Sequence, residues 1–178
     1  MIATARLTLR PARPDDLEDL HAIFSDPRAM RYWDRPAHEN RDQTRAFLNH
    51  FIHGPPDTRE EYILDLEGRA IGKAGVWAMP ELGFILNPRH WGRGFATEAL
   101  QAILPRAFAK FPDEPVLTAE IDPRNTASRR VLTRLGFRQT GFAEKNFLYG
   151  GTEWCDTAYF ALPRPGSVPP PADAGTAR

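Results

Sequence analysis

One stretch constrains this chain more than any other: Arg89-His90-Trp91-Gly92-Arg93-Gly94-Phe95-Ala96-Thr97-Glu98-Ala99. Just before it, Glu81-Leu82-Gly83-Phe84-Ile85-Leu86 reads as a strand, and from Ala96 onward the pattern reads as a helix. A strand that feeds a glycine-rich basic loop opening a helix is a phosphate-binding arrangement. The glycines let the backbone curl so that several N–H groups point inward, the helix N-terminus adds roughly half a positive charge, and the arginines add whole ones. A plainer reading of Gly-x-Gly is a tight turn with solvated arginines. Against it, the loop carries Arg89 and Arg93 and no acid before Glu98, and Pro88 stiffens its entry.

The loop also excludes two nucleotide-binding devices. No Lys-Ser/Thr follows the glycines, so it is not the triphosphate P-loop. Thr97 stands where G-x-G-x-x-G needs its third glycine, which disfavours a dinucleotide fold.

At 178 residues the chain reads as one folded domain, residues 1–162, followed by a Pro-rich tail, residues 163–178, expected to be disordered or loosely draped. The net charge of +0 argues against a broad grip on nucleic acid. A lone cysteine, Cys155, excludes an internal disulfide and a cysteine-cluster metal site, and fits a reducing compartment. The first ten residues lack an apolar run long enough for a signal peptide, and no stretch approaches a membrane span, so a cytoplasmic setting is expected. None of the five histidines (His21, His38, His50, His53, His90) sits in a recognisable metal spacing, and no Gly-x-Ser-x-Gly elbow supports a serine hydrolase.

Residues 6–10 alternate as a strand. Asp15 or Asp16 is expected to cap a helix whose apolar face is Leu17, Leu20, Ile23 and Phe24. A second helix is expected over residues 39–53 with Phe47, Leu48, Phe51 and Ile52 buried. Strands at residues 62–66 and 70–77 flank a Glu67-Gly68 hairpin turn. After the loop, Ala99, Leu100, Ile103 and Leu104 share a helix face, and Pro105 is expected to kink that helix or start a new turn. A strand at residues 116–121, a helix at 125–135 and strands at 138–142 and 155–162 complete the order, with Gly150-Gly151 turning between the last two. Helices alternate with strands, yet hairpins occur too. The fold class is therefore α/β (α+β), a mixed sheet with helices on both faces.

The run ELGFILNPRHWGRGFATEAL, with Arg89-x-x-Gly92-x-Gly94 inside it, resembles the coenzyme A pyrophosphate loop of the GNAT (Gcn5-related) N-acetyltransferase superfamily, and looks most like its RimJ/RimL branch. The resemblance spans about residues 6–162. It implies a mostly antiparallel twisted sheet of about seven strands, split into a V between the fourth and fifth, with acetyl-CoA in the split. It implies that the backbone of Phe84, Ile85 and Leu86 holds the pantetheine arm, with an N–H near Leu86 polarising the thioester carbonyl. Arg89, His90, Trp91, Gly92, Arg93, Gly94, Phe95, Ala96 and Thr97 would form the cofactor loop. The pattern N-x-x-S…L-G-F, here Asn125, Ser128 and Leu135-Gly136-Phe137, would lie along the pantetheine, with Asn125 on its amide and Ser128 near the sulfur. Read without the resemblance, the same residues make a well-capped helix.

Many members of the family place a tyrosine acid one turn before the Gly-Phe; this chain has Leu132 there, so Ser128 inherits the role of proton donor. A thiol of pKa near 8.5 also leaves readily without a dedicated acid. Glu81 stands where several family members keep a catalytic glutamate, and the alternative is a solvated strand-end carboxylate. Glu98 reads as a structural acid in the first helical turn. Trp33, Tyr149 and Trp154 are the candidate acceptor-binding residues, with Glu153 and Asp156 nearby and Tyr32 beside Trp33; aromatics with acids suit a cationic amine. The expected activity is transfer of acetyl to a primary amine by direct attack. Alternatives for the acceptor are a protein N-terminus, an amino sugar or aminoglycoside, and a polyamine-like molecule. A non-catalytic acyl-CoA-binding module is the rival from another class. Relatives often pair, which makes a homodimer an open expectation.

Overall fold

A computed structural model describes residues 1–166. The order is β1 (Ile2–Ala3), β2 (Thr8–Arg10), α1 (Leu17–Phe24), α2 (Pro27–Met30), α3 (Arg41–His53), β3 (Glu60–Leu66), β4 (Arg69–Ala78), β5 (Glu81–Leu86), α4 (Phe95–Lys110), β6 (Val116–Ile121), α5 (Thr126–Arg134), β7 (Arg138–Tyr149) and β8 (Glu153–Pro163). One sheet runs β1-β2-β3-β4-β5-β6-β8-β7. All neighbours are antiparallel except β5 and β6. Leaving aside the two-residue β1, seven strands remain, as expected.

The sheet opens between β5 and β6. These parallel strands register at the single pair Glu81–Thr118, with the Thr118 N–H bonded to the Pro80 carbonyl at 2.9 Å. Past that pair the strands diverge, which puts the V between the fourth and fifth of the seven strands.

Side-chain alternation assigns the two faces. Leu82, Leu86, Leu117 and Ala119 join the larger core beneath α4, with Phe95, Leu100, Ile103 and Leu132. Ile63, Ala70 and Ile85 point the other way, into a smaller core under α1, α2 and α3 built on Leu20, Phe24, Met30 and Leu48. Helices therefore cover both faces.

Several local expectations are revised. Asp16 does not cap α1. Its carboxylate is buried and accepts the Arg13 N–H at 2.7 Å and both terminal nitrogens of Arg10 at 2.6 and 2.9 Å, while Arg10 also reaches Asp65 at 2.6 Å. A buried arginine demands acceptors more strongly than a helix end does. On α3, Leu48 and Thr44 are buried, whereas Phe47, Phe51 and Ile52 are only partly covered. Helix α4 runs through Pro105 to Lys110. Pro105 and Gln101 are both exposed, so the carbonyl deprived of its N–H partner faces water. Glu67 and Gly68 both take positive φ, 53° and 83°, as a tight hairpin turn needs. Strands β7 and β8 are longer than expected, and Arg164 after β8 holds the carbonyls of Phe108 and Glu114 at 3.0 Å each. From residue 167 the Pro-rich tail lies outside the described residues.

Candidate active site

The loop after β5 is pinned from three sides. The Asn87 side chain accepts the Arg89 N–H at 3.1 Å, and the Trp91 indole donates to the Leu86 carbonyl at 2.9 Å. Gly92 and Gly94 have φ of 71° and 81°, a region that L side chains avoid. Gly94 is the N-cap of α4, and no side chain caps that helix end. The first helical bond runs from the Glu98 N–H to the Gly94 carbonyl, so the N–H groups of residues 95–97 precede the ladder. A 16-residue helix thus presents an uncapped N-terminus to whatever lies beyond the loop.

The third pin comes from far away. Arg6 bonds Glu98 through Nε at 2.7 Å, donates Nη1 to the Arg93 carbonyl at 2.9 Å, and lies 4.3 Å over the Phe95 ring. Thr4 and the Arg6 N–H also bond Glu98, at 2.6 and 2.8 Å. Glu98 is held below its ordinary pKa by these hydrogen bonds, which overcome its burial. It is a brace for the loop, in keeping with a structural acid.

The open edge of β5 adds backbone donors. The Asn87 N–H bonds the Ile71 carbonyl, and the register pairs Ile85 with Lys73. Antiparallel alternation then commits Ile85 and Gly83 to β4 and turns the backbone of Phe84 and Leu86 toward the split.

A single cleft of about 1710 Å³ passes through this split. His90, Trp91, Gly92, Gly94, Phe95, Ala96 and Thr97 line it on the loop side, with Phe84, Ile85 and Leu86 along the strand. Arg89 and Arg93 are not among its lining residues. The Arg93 guanidinium folds back over Phe95 at 4.9 Å and lies 3.3 Å from His90 Nδ1. Burial first, then Arg93 and Arg89, lower the His90 pKa, so the ring is neutral at pH 7.

Across the split stands α5. Asn125 accepts the Ser128 N–H at 3.0 Å through its side-chain oxygen, leaving its NH2 as the group to offer a ligand, and both residues line the cleft. Leu132 is fully buried in the larger core.

Glu81 is half-buried where the strands part. Burial, then the charge of Glu120, lift its carboxyl to about 6, against a hydrogen bond from Trp77; Asp34 adds a smaller push. Glu120 lies two residues beyond Thr118, on the same strand face as Glu81, and desolvation lifts its carboxyl as well. Both line the cleft.

Trp33 and Tyr149, two of the residues expected at the acceptor, both line the cleft. Trp33 packs edge-on against Phe24 at 5.6 Å and also faces the cleft, so it is both lid and wall. Tyr149 donates its hydroxyl to the Met30 carbonyl at 3.1 Å, tying the β7–β8 hairpin to α2. Trp154 is 59% exposed and does not line the cleft. Asp156 accepts the Lys145 N–H at 2.8 Å, which shapes the hairpin. Glu153 is gripped by Arg31 at 3.1 Å and Arg124 at 2.7 Å. Beneath Trp33, Phe47 and Phe51, Lys73 and Glu61 form a buried ion pair. Among the described residues no group of three His, Cys, Asp or Glu side chains is placed to hold a metal ion, and no helix is long and apolar enough to cross a membrane.

The acetyltransferase (GNAT) domain model matches residues 6–138. The chain belongs to the GNAT acetyltransferase family. It is 30% identical over 168 residues to the uncharacterized N-acetyltransferase YnaD of Bacillus subtilis, covering 90% of this chain and 95% of that one. The crystal structure of a GNAT-family acetyltransferase from Bacillus anthracis superposes with a TM-score of 0.79 at 28% identity, over 91% and 97% of the two chains. At 20% and 19% identity two further structures share the fold. Spermidine N-acetyltransferase from Vibrio cholerae with CoA and spermine has a TM-score of 0.75, over 89% of this chain and 96% of that one. RimL, the ribosomal L7/L12 α-N-protein acetyltransferase, with coenzyme A has 0.78, over 91% and 96%. This GNAT chain is therefore an acetyl-CoA-dependent N-acetyltransferase.

The loop, the uncapped helix end and the unpaired edge of β5 suit a ligand with a pyrophosphate and an amide-bearing arm. Sequence reasoning missed Arg6, Glu120 and the Lys73–Glu61 pair. Arg6 had a local signal only as a strand residue, and Glu120 becomes visible only once β6 is registered against β5.

Proposed function

We propose that this acetyltransferase acts on a primary amine that attacks the thioester directly, and that the α-amine of a protein N-terminus is the acceptor, as in the RimJ/RimL branch. One observation carries this reading: Glu81, half-buried at the junction of the two sheet halves, has a carboxyl lifted to about 6. It is ionised at pH 7 and is a stronger base than an ordinary glutamate. Moving a proton to it from an α-amine of pKa near 8 costs about 2.7 kcal/mol; from an amine near 10.4 it costs about 6 kcal/mol. The N-terminus is the acceptor this base serves with least effort.

Acetyl-CoA, when bound, supplies a thioester carbonyl open to nucleophilic attack. The chain's own residues do the rest. The N–H groups of the loop and of the first turn of α4 receive the pyrophosphate, with His90 on the cleft wall beside them and the charges of Arg89 and Arg93 outside it. The backbone of Phe84 and Leu86 orients the pantetheine, and the Leu86 N–H stabilises negative charge on the carbonyl oxygen. Asn125 steadies the arm through its NH2, and Ser128 gives a proton to the departing sulfur. Glu81 takes the amine proton, while Trp33 and Tyr149 flank the acceptor.

A second reading, a small polycationic acceptor, is favoured by the carboxylates of Glu81 and Glu120 beside aromatic walls. We place the reaction in the cytoplasm, in keeping with the single buried thiol of Cys155, and take a homodimer as the working assembly.

Two experiments test this. Titration calorimetry with acetyl-CoA on wild type and Gly92→Glu tests the loop: a Cβ there meets nothing within 4 Å, but the φ of 71° strains any side chain, so the change both disturbs the loop's curl and adds a negative charge to it. Equal binding by both proteins removes the loop from the cofactor site. Turnover is then compared on a lysine-free peptide with a free N-terminus, spermidine and an aminoglycoside. Preference for spermidine or the aminoglycoside overturns the N-terminal assignment.

A further inference from the structure

The base assigned above gives Glu120 no part in the reaction with an N-terminal amine. Glu120 stands on β6, across the split from Glu81. The single β5–β6 pair, Glu81 with Thr118, fixes the register, and two residues on, Glu120 returns to the face that Glu81 shares. That face belongs to the acceptor half of the cleft, under α1, α2 and α3, whereas Leu82, Leu117 and Ala119 point away into the larger core. Both side chains line the cleft where the strands part. No hydrogen bond or ion pair with a described residue neutralises Glu120, whereas Asp122 and Glu153 are held by Arg124 and Arg31, and Asp156 accepts the Lys145 N–H.

We infer that Glu120 is a second catalytic carboxylate of the acetyltransferase site, docking the acceptor's ammonium beside Glu81 so that its proton passes to Glu81. The inference rests on the reading of Glu81 as base. In the step, one N–H bond of the ammonium breaks and an O–H bond forms on Glu81. The freed lone pair attacks, and Glu120 stays charged to balance the cation until transfer. The site so built takes an acceptor with a cationic primary amine next to an aromatic wall and disfavours an acceptor with an acid adjacent to its amine.

The electrostatics agree with the placement. The Glu120 charge is the largest cause after burial of the raised Glu81 pKa, with Asp34, from the segment between α2 and α3, contributing less; Trp77 of β4 opposes through its hydrogen bond. From β8, the Tyr159 hydroxyl is itself pushed up by burial and by Glu120.

The test is a carbon-13 titration of the glutamate side-chain carboxyls in CoA-saturated protein, comparing wild type, Glu120→Gln and, as a distant charge control on exposed β7, Glu144→Gln. The Glu81 midpoint should fall from about 6 by about half a unit or more in Glu120→Gln and stay put in Glu144→Gln. Calorimetry with a lysine-free peptide bearing a free N-terminus as the cationic probe should show binding about three- to tenfold weaker in Glu120→Gln with acetyl-CoA affinity unchanged. A Glu81 midpoint indifferent to Glu120 overturns the pairing, and equal peptide binding by both proteins overturns the docking role. The base reading is judged separately: a Glu81→Gln enzyme of undiminished kcat removes Glu81 from the chemistry, whatever the titration shows.

Discussion

Arg6 and Glu98, 92 positions apart, meet through two guanidinium nitrogens at 2.7 Å each. The contact ties the start of the chain to the first turn of α4 and, through the Arg93 carbonyl, to the loop that presents the helix end.

Arg6→Ala should therefore loosen the loop without touching its glycines. We expect acetyl-CoA affinity to fall about three- to tenfold, the effect of about 1 kcal/mol for partly exposed charged hydrogen bonds. Arg6→Lys should recover little, because an ammonium cannot bridge Glu98 and the Arg93 carbonyl as a fork does. Calorimetry with acetyl-CoA reads both.

Glu81 makes stability depend on pH in a definite direction. Its folded pKa, about 6, lies above the ordinary value of 4.5, so the folded state holds the proton more tightly and this contribution to stability is lost as pH rises from 4.5 through 6. Glu81→Gln lacks the effect. The mutant should be the more stable protein at pH 7.5, and the gap should close by pH 4.5. Urea denaturation across that window decides the matter; a gap that widens on acidification contradicts the raised carboxyl.

Ser128→Ala should lower kcat about 10- to 100-fold, toward the low end of general-acid effects because a thiolate is a good leaving group. Its acetyl-CoA affinity should hold, since the N–H that Asn125 caps is unaltered. A drop in affinity with kcat intact would make the serine a binding residue only. Leu132→Tyr should not substitute for it: Leu132 is fully enclosed, and a phenol there overpacks the core.

Asp16→Ala removes a partner of an arginine whose side chain is 6% exposed, and should cost about 3–5 kcal/mol in denaturant unfolding. Arg45→Ala, which breaks an exposed pair with Asp42 on α3, should cost under about 1 kcal/mol.

Short-range chemistry was legible in the chain. Strands β5 and β6 have the bounds expected for them, 81–86 and 116–121, and Asn125 caps α5 as its type suggests. What failed depends on contacts distant in sequence. Asp16 looked like a cap until Arg10 and the Arg13 N–H claimed its carboxylate, and Pro105, expected to kink α4 or start a new turn, is carried inside one continuous helix with an exposed face. Of the site, the loop and β5 carried local signals. Arg6 and Glu120 did not, because each matters only through a partner that the fold supplies from elsewhere in the chain.

The divergence of β5 from β6 has a kinetic consequence. The cleft is lined on one side by Trp91 and Gly92 of the loop and on the other by Trp33 and Tyr149. Two reactants seated on these two sides need not wait for each other's departure. Initial-rate lines for donor and acceptor should therefore intersect, as for an enzyme holding both at once, and a bulky acceptor faces no barrier from the occupied donor side.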